Sequence, residues 1–590
     1  MKNIDKLWTT LRGFTSTINR YPVTILLFLF SAIFTSYNIN TNDLDNIVEI
    51  LFALALGATL YMLLQMVYER FCHGMKTRLI FGGVALLGAV LYYLAVEFGV
   101  KSFGAEHALR TTVLLFILII GFIWVPVIKS KLGFSESFMV IFKSFFMVVL
   151  YSGVLFLGIS LIIMAIDMLI VNVASKAYAH VGSIIGFIYA PIHFLSLIPT
   201  YPRRDDEPTL QVDKAIKPSK FLEGLISYII IPITAIFTVI LLLYIIMNIT
   251  GDFWKDNLME PLLVTYSITV IIVYLLASVI DNKAADYFRK IFPKVLIPVV
   301  LFQTISSILK IGELGITSGR YYVIIFGIFA TTSAIIFSLR PNHKSNVIAP
   351  ILIALSLVSI LPPVDAFTIS KSNQIGRLTN VLEKNDMLKD GKIVPNAANL
   401  SEVDRQIIIN SVRYLSRMDY LKDISWLKTY SVSYDFEKTF GFNQYGSDID
   451  AEEPDLWRLY LAERTPIDVS DYDIFVVADL SGKDYSEPLK TVPWGVEGYT
   501  IEQEFKNGIG DILVKDGQQN ELIRYSLDEI FNYFKDKDTI RNGEISMEEA
   551  EFVTENDNVI LSIVVKSLNL EEGKNSKYQN INAYIMVKIK

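Results

Sequence analysis

The sequence predicts a polytopic α-helical membrane bundle of about eleven spans, followed by an extracytoplasmic α+β domain with an antiparallel sheet. Three observations predict it. The apolar residues gather into long runs before residue 364, the basic residues alternate in density along those runs, and the pattern then changes to that of a soluble domain. The 590 residues are 52% apolar with a mean hydropathy of +0.43, whereas soluble domains hold about 45–50% by a similar count.

A helix needs about 20 mostly apolar residues to cross a hydrocarbon core about 30 Å thick. Runs that meet this need lie near 21–37, 47–68, 79–98, 109–128, 138–165, 181–200, 221–248, 260–280, 295–311, 321–338 and 347–363. Within 138–200, one tilted span plus an interfacial segment is an alternative to two spans. With the N-terminus inside, the stretches 1–20, 69–78, 129–136, 201–220, 281–294 and 339–346 hold 20 Lys and Arg, and the intervening stretches hold 6. Positive charge marks cytoplasmic loops, so residues 364–590 are expected outside and the protein in a bacterial inner membrane. The first run is longer than a signal-peptide core and lacks a small-residue cleavage site, so it reads as a retained span.

Charge divides the chain as hydropathy does. Residues 364–590 hold 40 Asp and Glu against 26 Lys and Arg, a net of −14, which leaves +7 on the remainder. An acidic outer domain disfavours nucleic acid as a partner, because phosphate recognition needs Lys and Arg. The expected partner is the lipid bilayer, with envelope proteins or lipids beside it; the sequence is silent on oligomeric state. Before the first span, Ile4, Leu7, Trp8, Leu11, Phe14 and Ile18 recur at helical spacing, with Lys2, Lys6, Arg12 and Arg20 around the other side. That pattern fits an interfacial helix over 1–20.

The domains are therefore expected as the interfacial helix at 1–20, the membrane part at 21–363, a helical juxtamembrane segment at 364–425 and a β-rich domain at 426–590. Ser401 caps a helix in SEVDRQIIINSVRYLSRM, with Ile408, Val412 and Leu415 on one face. From Trp426 onward TYSVSYDF, YDIFVVADL, YTIEQEF, GDILVKD, VILSIVVKSLNL and INAYIMVKIK read as strands, interrupted by the helix SLDEIFNYFKD after Ser526.

Candidate chemistry is sparse. Ionisable groups at bilayer depth mark function, but Lys143, Asp167, Glu49 and Glu97 all fall near span ends. His193, between Pro191 and Pro199, is the best intramembrane candidate, set against the commoner role of a hydrogen-bonded interior histidine. Pro126, Pro191, Pro232, Pro298 and Pro350 lie within spans, where a kink frees a backbone carbonyl; Pro191, Pro232 and Pro298 join His193 as candidates for a substrate site. Prolines are also simply common in membrane helices. Ala190-Pro191-Ile192 and Ala349-Pro350-Ile351 begin two matching stretches five spans apart, a weak hint of an inverted repeat.

All five histidines (73, 107, 180, 193, 343) and the one cysteine, Cys72, precede residue 364. The outer domain alone therefore cannot build a Ser-His-Asp triad, a cysteine nucleophile or a His/Cys zinc site. No metal or cofactor is expected. Asp536, Asp538, Asn542, Gly543, Ile545 and Glu549 approach an EF-hand loop, but with about two extra residues in its first half, so an acidic turn is the better reading.

The helix and turn NQIGRLTNVLEKNDMLKDGKIV, with YLSRMDYLKDISWL after it, resembles a bacterial membrane family catalogued as domain-of-unknown-function family 4153. In that family a glycine usually stands where this chain has Asp386, ahead of Met387, Leu388, Lys389, Asp390, Gly391 and Lys392. The resemblance implies a multi-span region and a C-terminal sheet domain in the cell envelope, and supplies no catalytic residues.

Three functions fit. The first is a non-enzymatic protein that presents the outer domain for partner binding or sensing, although eleven spans exceed what an anchor needs. The second is a transporter with a site among the Pro-kinked helices. The third is a lipid-linked sugar transferase whose first outer loop supplies Asp43 and Asp45 as base or metal ligands.

Overall fold

Long apolar stretches separated by polar hinges satisfy their backbone groups internally as helices, as lipid requires. The computed structural model describes residues 13–41, 46–99, 103–203, 209–248, 259–339, 346–396, 400–427, 432–442, 444, 455–462, 465–481, 494–496, 498–506, 509–536, 542–572 and 577–590. It divides into two units, Met1–Phe442 and Asn443–Lys590.

The first unit begins with α1 (Pro22–Thr41), α2 (Ile47–Phe71), α3 (Met75–Gly99), α4 (Ala105–Trp124), α5 (Phe134–Leu169) and α6 (Lys176–Ser196). The short α7 (Leu210–Ile216) leads into α8 (220–248), α9 (Met259–Ala277), α10 (Lys283–Leu314), α11 (Ser318–Leu339) and α12 (Ile348–Ile360). Among the described residues 10 segments are long and apolar enough to cross a membrane, α7 and α8 counting as one. The eleventh expected span differs: α12 has 13 residues, about 20 Å of helix at about 1.5 Å per residue. The region 138–200 holds two long helices, α5 and α6, rather than one span with an interfacial segment.

Polar contacts collect at two sets of helix ends. In one set, both guanidinium arms of Arg20 meet Glu69 at 2.7 Å, and Arg20 also donates to the carbonyls of Ile198 and Pro199. There too the Phe134 amide donates to Asn346 at 3.0 Å, and Lys143 reaches the carbonyls of Ala215 and Lys217 at the end of α7. A cation suits a helix C-terminus. In the other set, Lys176 donates to the Asn40 carbonyl, Asn46 to Glu97, and Arg110 to the Ile360 carbonyl. Helices α1 to α4, α6 and α12 each run from one set to the other. The short α12 does so between Asn346 and Ile360.

Close approach inside the bundle depends on small residues. A Cβ on Gly57 of α2 would meet the Ala89 Cβ at 2.7 Å and the Ala85 carbonyl at 3.1 Å on α3, the kind of small-residue contact that membrane helices use in place of a hydrophobic drive. Of the interfacial helix, residues 13–20 are described and helical, with Phe14 edge-on to Tyr189 at 6.4 Å; residues 1–12 lie outside the described residues.

Beyond α12 follow α13 (Ala366–Lys384), the hairpin β1 (Leu388–Lys389) and β2 (Lys392–Ile393), α14 (Glu402–Arg417) and α15 (Val432–Phe440). Ser401 accepts the Asp404 amide at 3.1 Å, the expected cap. Phe367, Leu378 and Leu382 of α13 pack with Ile408, Val412 and Leu415 of α14 and with Phe436 and Phe440 of α15. Here the expectation of a strand at TYSVSYDF is corrected. Phe436 and Phe440 stand four apart on one helix face, and their rings lie 4.9 Å apart; burying that pair outweighs the alternation that suggested a strand.

The second unit carries β3 (Asp455–Leu461), β4 (Ile474–Ser481), β5 (Trp494–Val496), β6 (Tyr499–Lys506), β7 (Ile509–Asp516), β8 (Glu521–Ser526), α16 (Leu527–Asp536), β9 (Asn542–Ile545), α17 (Met547–Ala550), β10 (Glu551–Glu555), β11 (Val559–Glu572) and β12 (Lys577–Ile589). One sheet runs β4-β12-β11-β3-β9 with β10 also paired to β11, and a second runs β5-β6-β7-β8. All described pairs of these two sheets are antiparallel except β3 with β9. The Gln503 side chain joins the sheets, accepting from the Ser481 amide at 3.3 Å and donating to its carbonyl at 2.5 Å. Leu527, Ile530, Phe531 and Phe534 of α16 enter the common core.

Candidate functional site

The structure gives the sequence candidates separate settings. His193 lies in the last turn of α6, three residues before its end, rather than deep in the span. Its ring sits among Phe14, Tyr151 and Tyr189, with centroids 6.0, 5.5 and 5.4 Å away. Its buried Nδ1 has no hydrogen-bond partner among the described residues. Pro191 follows a π-turn at Ile185–Tyr189, and Pro232 follows another at Ile226–Ile230. In each, the residue before the proline donates five residues back, Ala190 to Ile185 and Ile231 to Ile226. The wider turn makes room for a ring that would otherwise strike the carbonyl four residues earlier. Pro232 and Pro298 are exposed. Asp43 and Asp45 lie outside the described residues.

The EF-hand-like run divides between elements. Gly543 and Ile545 belong to β9, and the Glu549 carboxylate caps α17, accepting from the Ser546 amide at 3.0 Å and hydroxyl at 2.9 Å. Residues 537–541 lie outside the described residues. Among the described residues no group of three His, Cys, Asp or Glu side chains could hold a metal ion.

The densest polar constellation is one that sequence reasoning missed: the junction of the bundle with α13 and α14. Asp365 is fully buried and caps α13, with its Oδ1 accepting the amides of Phe367 at 2.9 Å and Thr368 at 3.1 Å. The same oxygen accepts from Arg110 of α4 at 2.6 Å. Arg110 also pairs with Glu106 at 2.8 Å, and its guanidinium stands 4.6 Å over the Phe367 ring. Burial alone would raise the Asp365 carboxyl. Its hydrogen bonds with Thr368 and Phe367, and the charge of Arg110, hold it below the ordinary carboxylate value. Tyr420 donates to Glu106 at 2.6 Å; burial, and then that carboxylate, push its phenol far above the usual range.

A second contact grips the α10–α11 connection. Gln374 of α13 donates to the carbonyls of Leu314 at 3.1 Å and Ile316 at 3.2 Å, and accepts from Ser411 of α14 at 2.9 Å. Asn373 accepts the Ile316 amide at 2.8 Å, and Arg377 donates to the Gly312 carbonyl at 3.0 Å. The Tyr414 hydroxyl donates to Ser370 at 2.7 Å while accepting from the Ser318 amide at 3.1 Å. Gly315 carries φ +72°, and a Cβ there would meet Gln374 at 2.6 Å and Arg377 at 2.7 Å.

Chemically this junction is a clamp. The Asp365 and Glu106 carboxylates share Arg110, and the amides of Phe367 and Thr368 are satisfied, so the junction fixes α13 on the bundle. Signals for it did stand in the sequence: Asp365 directly before an amphipathic run, and Arg110 inside an apolar one.

The profile of the family described as Domain of unknown function (DUF4153) matches residues 23–388. That is more than half of the chain, and the chain belongs to this family. The match runs from the start of α1 through α13 to the first residue of β1. No curated protein and no solved structure matches the chain significantly.

Proposed function

We propose that this DUF4153 member is an integral membrane protein that holds residues 443–590 outside the cytoplasm, there to bind a partner or sense a signal. The observation that carries the reading is the clamp. Asp365 and Gln374 tie α13 to two separate parts of the bundle, α4 and the α10–α11 connection, while Arg110 also joins α4 to the end of α12. A chain needed only as an anchor has no use for so many satisfied contacts, which fix α13 and α14 on the bundle ahead of residues 443–590.

The topology that goes with it is eleven passes, with the Arg20 end in the cytoplasm. It draws support from the 20 to 6 bias of Lys and Arg between the two sets of connecting stretches. It is also supported by the run of α12 from Asn346 to Ile360, contacts at opposite sets of helix ends. A transport role draws on a different feature, the polar face of α10.

The test is complementation of an envelope phenotype in a strain lacking the protein. Residues 1–442 produced alone should insert, melt as the full chain does, and fail to restore the phenotype. Restoration by residues 1–442 would move the activity into the bundle and sink the presentation reading.

A further inference from the structure

The buried face of α10 changes character halfway along. Phe288, Phe292, Leu296, Val299 and Val300 form its first half, all buried and apolar. The next three turns bury Gln303 (1% exposed), Ser306, Ser307 and Lys310 instead. From α9, the Glu260 carboxylate accepts the Ser307 hydroxyl, so this polar face meets a charged group of its neighbour. Lys310 therefore lies inside a helix and not in a connecting loop. The adjoining face of α10 is pressed tightly on α11, where a Cβ on Gly327 would strike the Thr304 hydroxyl.

Gln303 is the telling residue. It stands midway between Lys294 and Gly312, about 13 Å from each at about 1.5 Å per residue, and so at the depth where lipid is driest. Both its amide nitrogen and its amide oxygen are buried with no hydrogen-bond partner among the described residues. A dry, unpaired carboxamide at that depth costs several kcal/mol. Such a group is kept where something that both donates and accepts hydrogen bonds reaches it.

We propose that Gln303, Ser306, Ser307, Lys310 and Glu260 line a cleft that opens to water from the side of the α13 clamp as far as the middle of the membrane, and that is closed in this structure, where Gln303 and Ser307 are each 1% exposed. The cleft is a site for a small polar solute that donates and accepts hydrogen bonds. Polar groups stepped along one helix face give such a solute successive partners from the surface to Gln303, and the apolar half beyond Val300 closes the path. The proposal does not depend on the role given to residues 443–590.

The test is thiol accessibility in the full-length protein. The one native cysteine allows a clean background, Cys72→Ser, into which Gln303→Cys, Ser306→Cys and Val299→Cys are placed separately and treated with a membrane-impermeant methanethiosulfonate in sealed vesicles of each orientation. Gln303→Cys and Ser306→Cys should be consumed when the reagent is on the clamp side, while Val299→Cys keeps its thiol from both sides. Equal resistance of all three would overturn the proposal. A second readout guards against misfolded variants: Gln303→Leu should lower or hold the melting temperature if the amide is solvated, and a rise would show a dry site and overturn the cleft as well.

Discussion

Arg110 and Asp365 meet at 2.6 Å across 255 residues of sequence, with the aspartate side chain wholly shielded and the arginine 22% exposed. The same carboxylate oxygen caps α13, so one atom ends a helix and ties it to α4. Asp365→Ala removes a cap worth about 1 kcal/mol and leaves Arg110 facing a buried gap. Losing one partner of a fully buried pair costs about 3–5 kcal/mol. Because Arg110 keeps some exposure and its Glu106 contact, about 2–4 kcal/mol is expected here. Thermal melts in detergent should show the loss, and an unchanged melting temperature would refute the clamp.

The pH dependence of that link has a definite sign. Asp365 has a folded-state pKa below its ordinary 3.8, so it contributes stability at pH values above 3.8 that is lost as pH falls through the lowered value. The gap in melting temperature between wild type and Asp365→Asn should therefore stay constant from neutral pH down to about 4 and close below it. A gap that closed already near pH 6 would assign the effect to another group.

Gly315→Ala tests the second grip. An L side chain at φ +72° is strained, and its Cβ would also overlap Gln374, Arg377 and Asn373. These are the side chains that hold the α10–α11 connection, so the variant should free α13 locally while the spans stay folded. Limited proteolysis should then cut within 366–427 at protease levels that leave the wild type intact.

Gly57→Ala probes the bundle itself. The added methyl faces the Ala89 Cβ at 2.7 Å and backbone at Ala85, and neither is the end of a flexible chain. Overpacking of this kind costs about 1–3 kcal/mol. Gly83 of α3, where an added Cβ would meet nothing within 4 Å, is the control: Gly83→Ala should leave the melt unchanged or raise it slightly.

How much of this was legible beforehand follows from what each signal rests on. The spans were readable because lipid demands about 20 apolar residues whatever their order, and α14 because Ser401 caps it with Ile408, Val412 and Leu415 on one face. What was missed depended on partners far away in sequence. Lys310 stands among the last residues of the expected run 295–311 until α10 is seen to run on to Leu314, and Asp365 is only the second residue of the juxtamembrane segment until Arg110 arrives from α4. The π-turns before Pro191 and Pro232 leave no mark in composition, since a proline in a span permits either a kink or a widened turn. At Val432–Phe440 the same residues satisfy a strand's alternation and a helix's i, i+4 spacing, and only the packing against α14 decides.

Asp386 tests how the juxtamembrane turn is built. It leaves α13 with φ +57°, and Asp390 and Gly391 follow at φ +50° and +70° in the tight turn between β1 and β2. Left-handed backbone is the one setting where glycine outperforms other residues, with aspartate among the better substitutes, which explains why a glycine is usual here in the family that this segment resembles. The ion pair of Asp386 with Lys389, 3.3 Å long and largely exposed, adds little. Asp386→Gly relieves the backbone but loosens the unfolded chain by about 0.4–1 kcal/mol, so it should hold or slightly raise the melting temperature. Asp386→Val, β-branched at a positive φ, should lower stability by about 1–3 kcal/mol. The expected order in thermal melts is glycine, then aspartate, then valine. Valine melting with the wild type would mean that the turn does not hold this conformation.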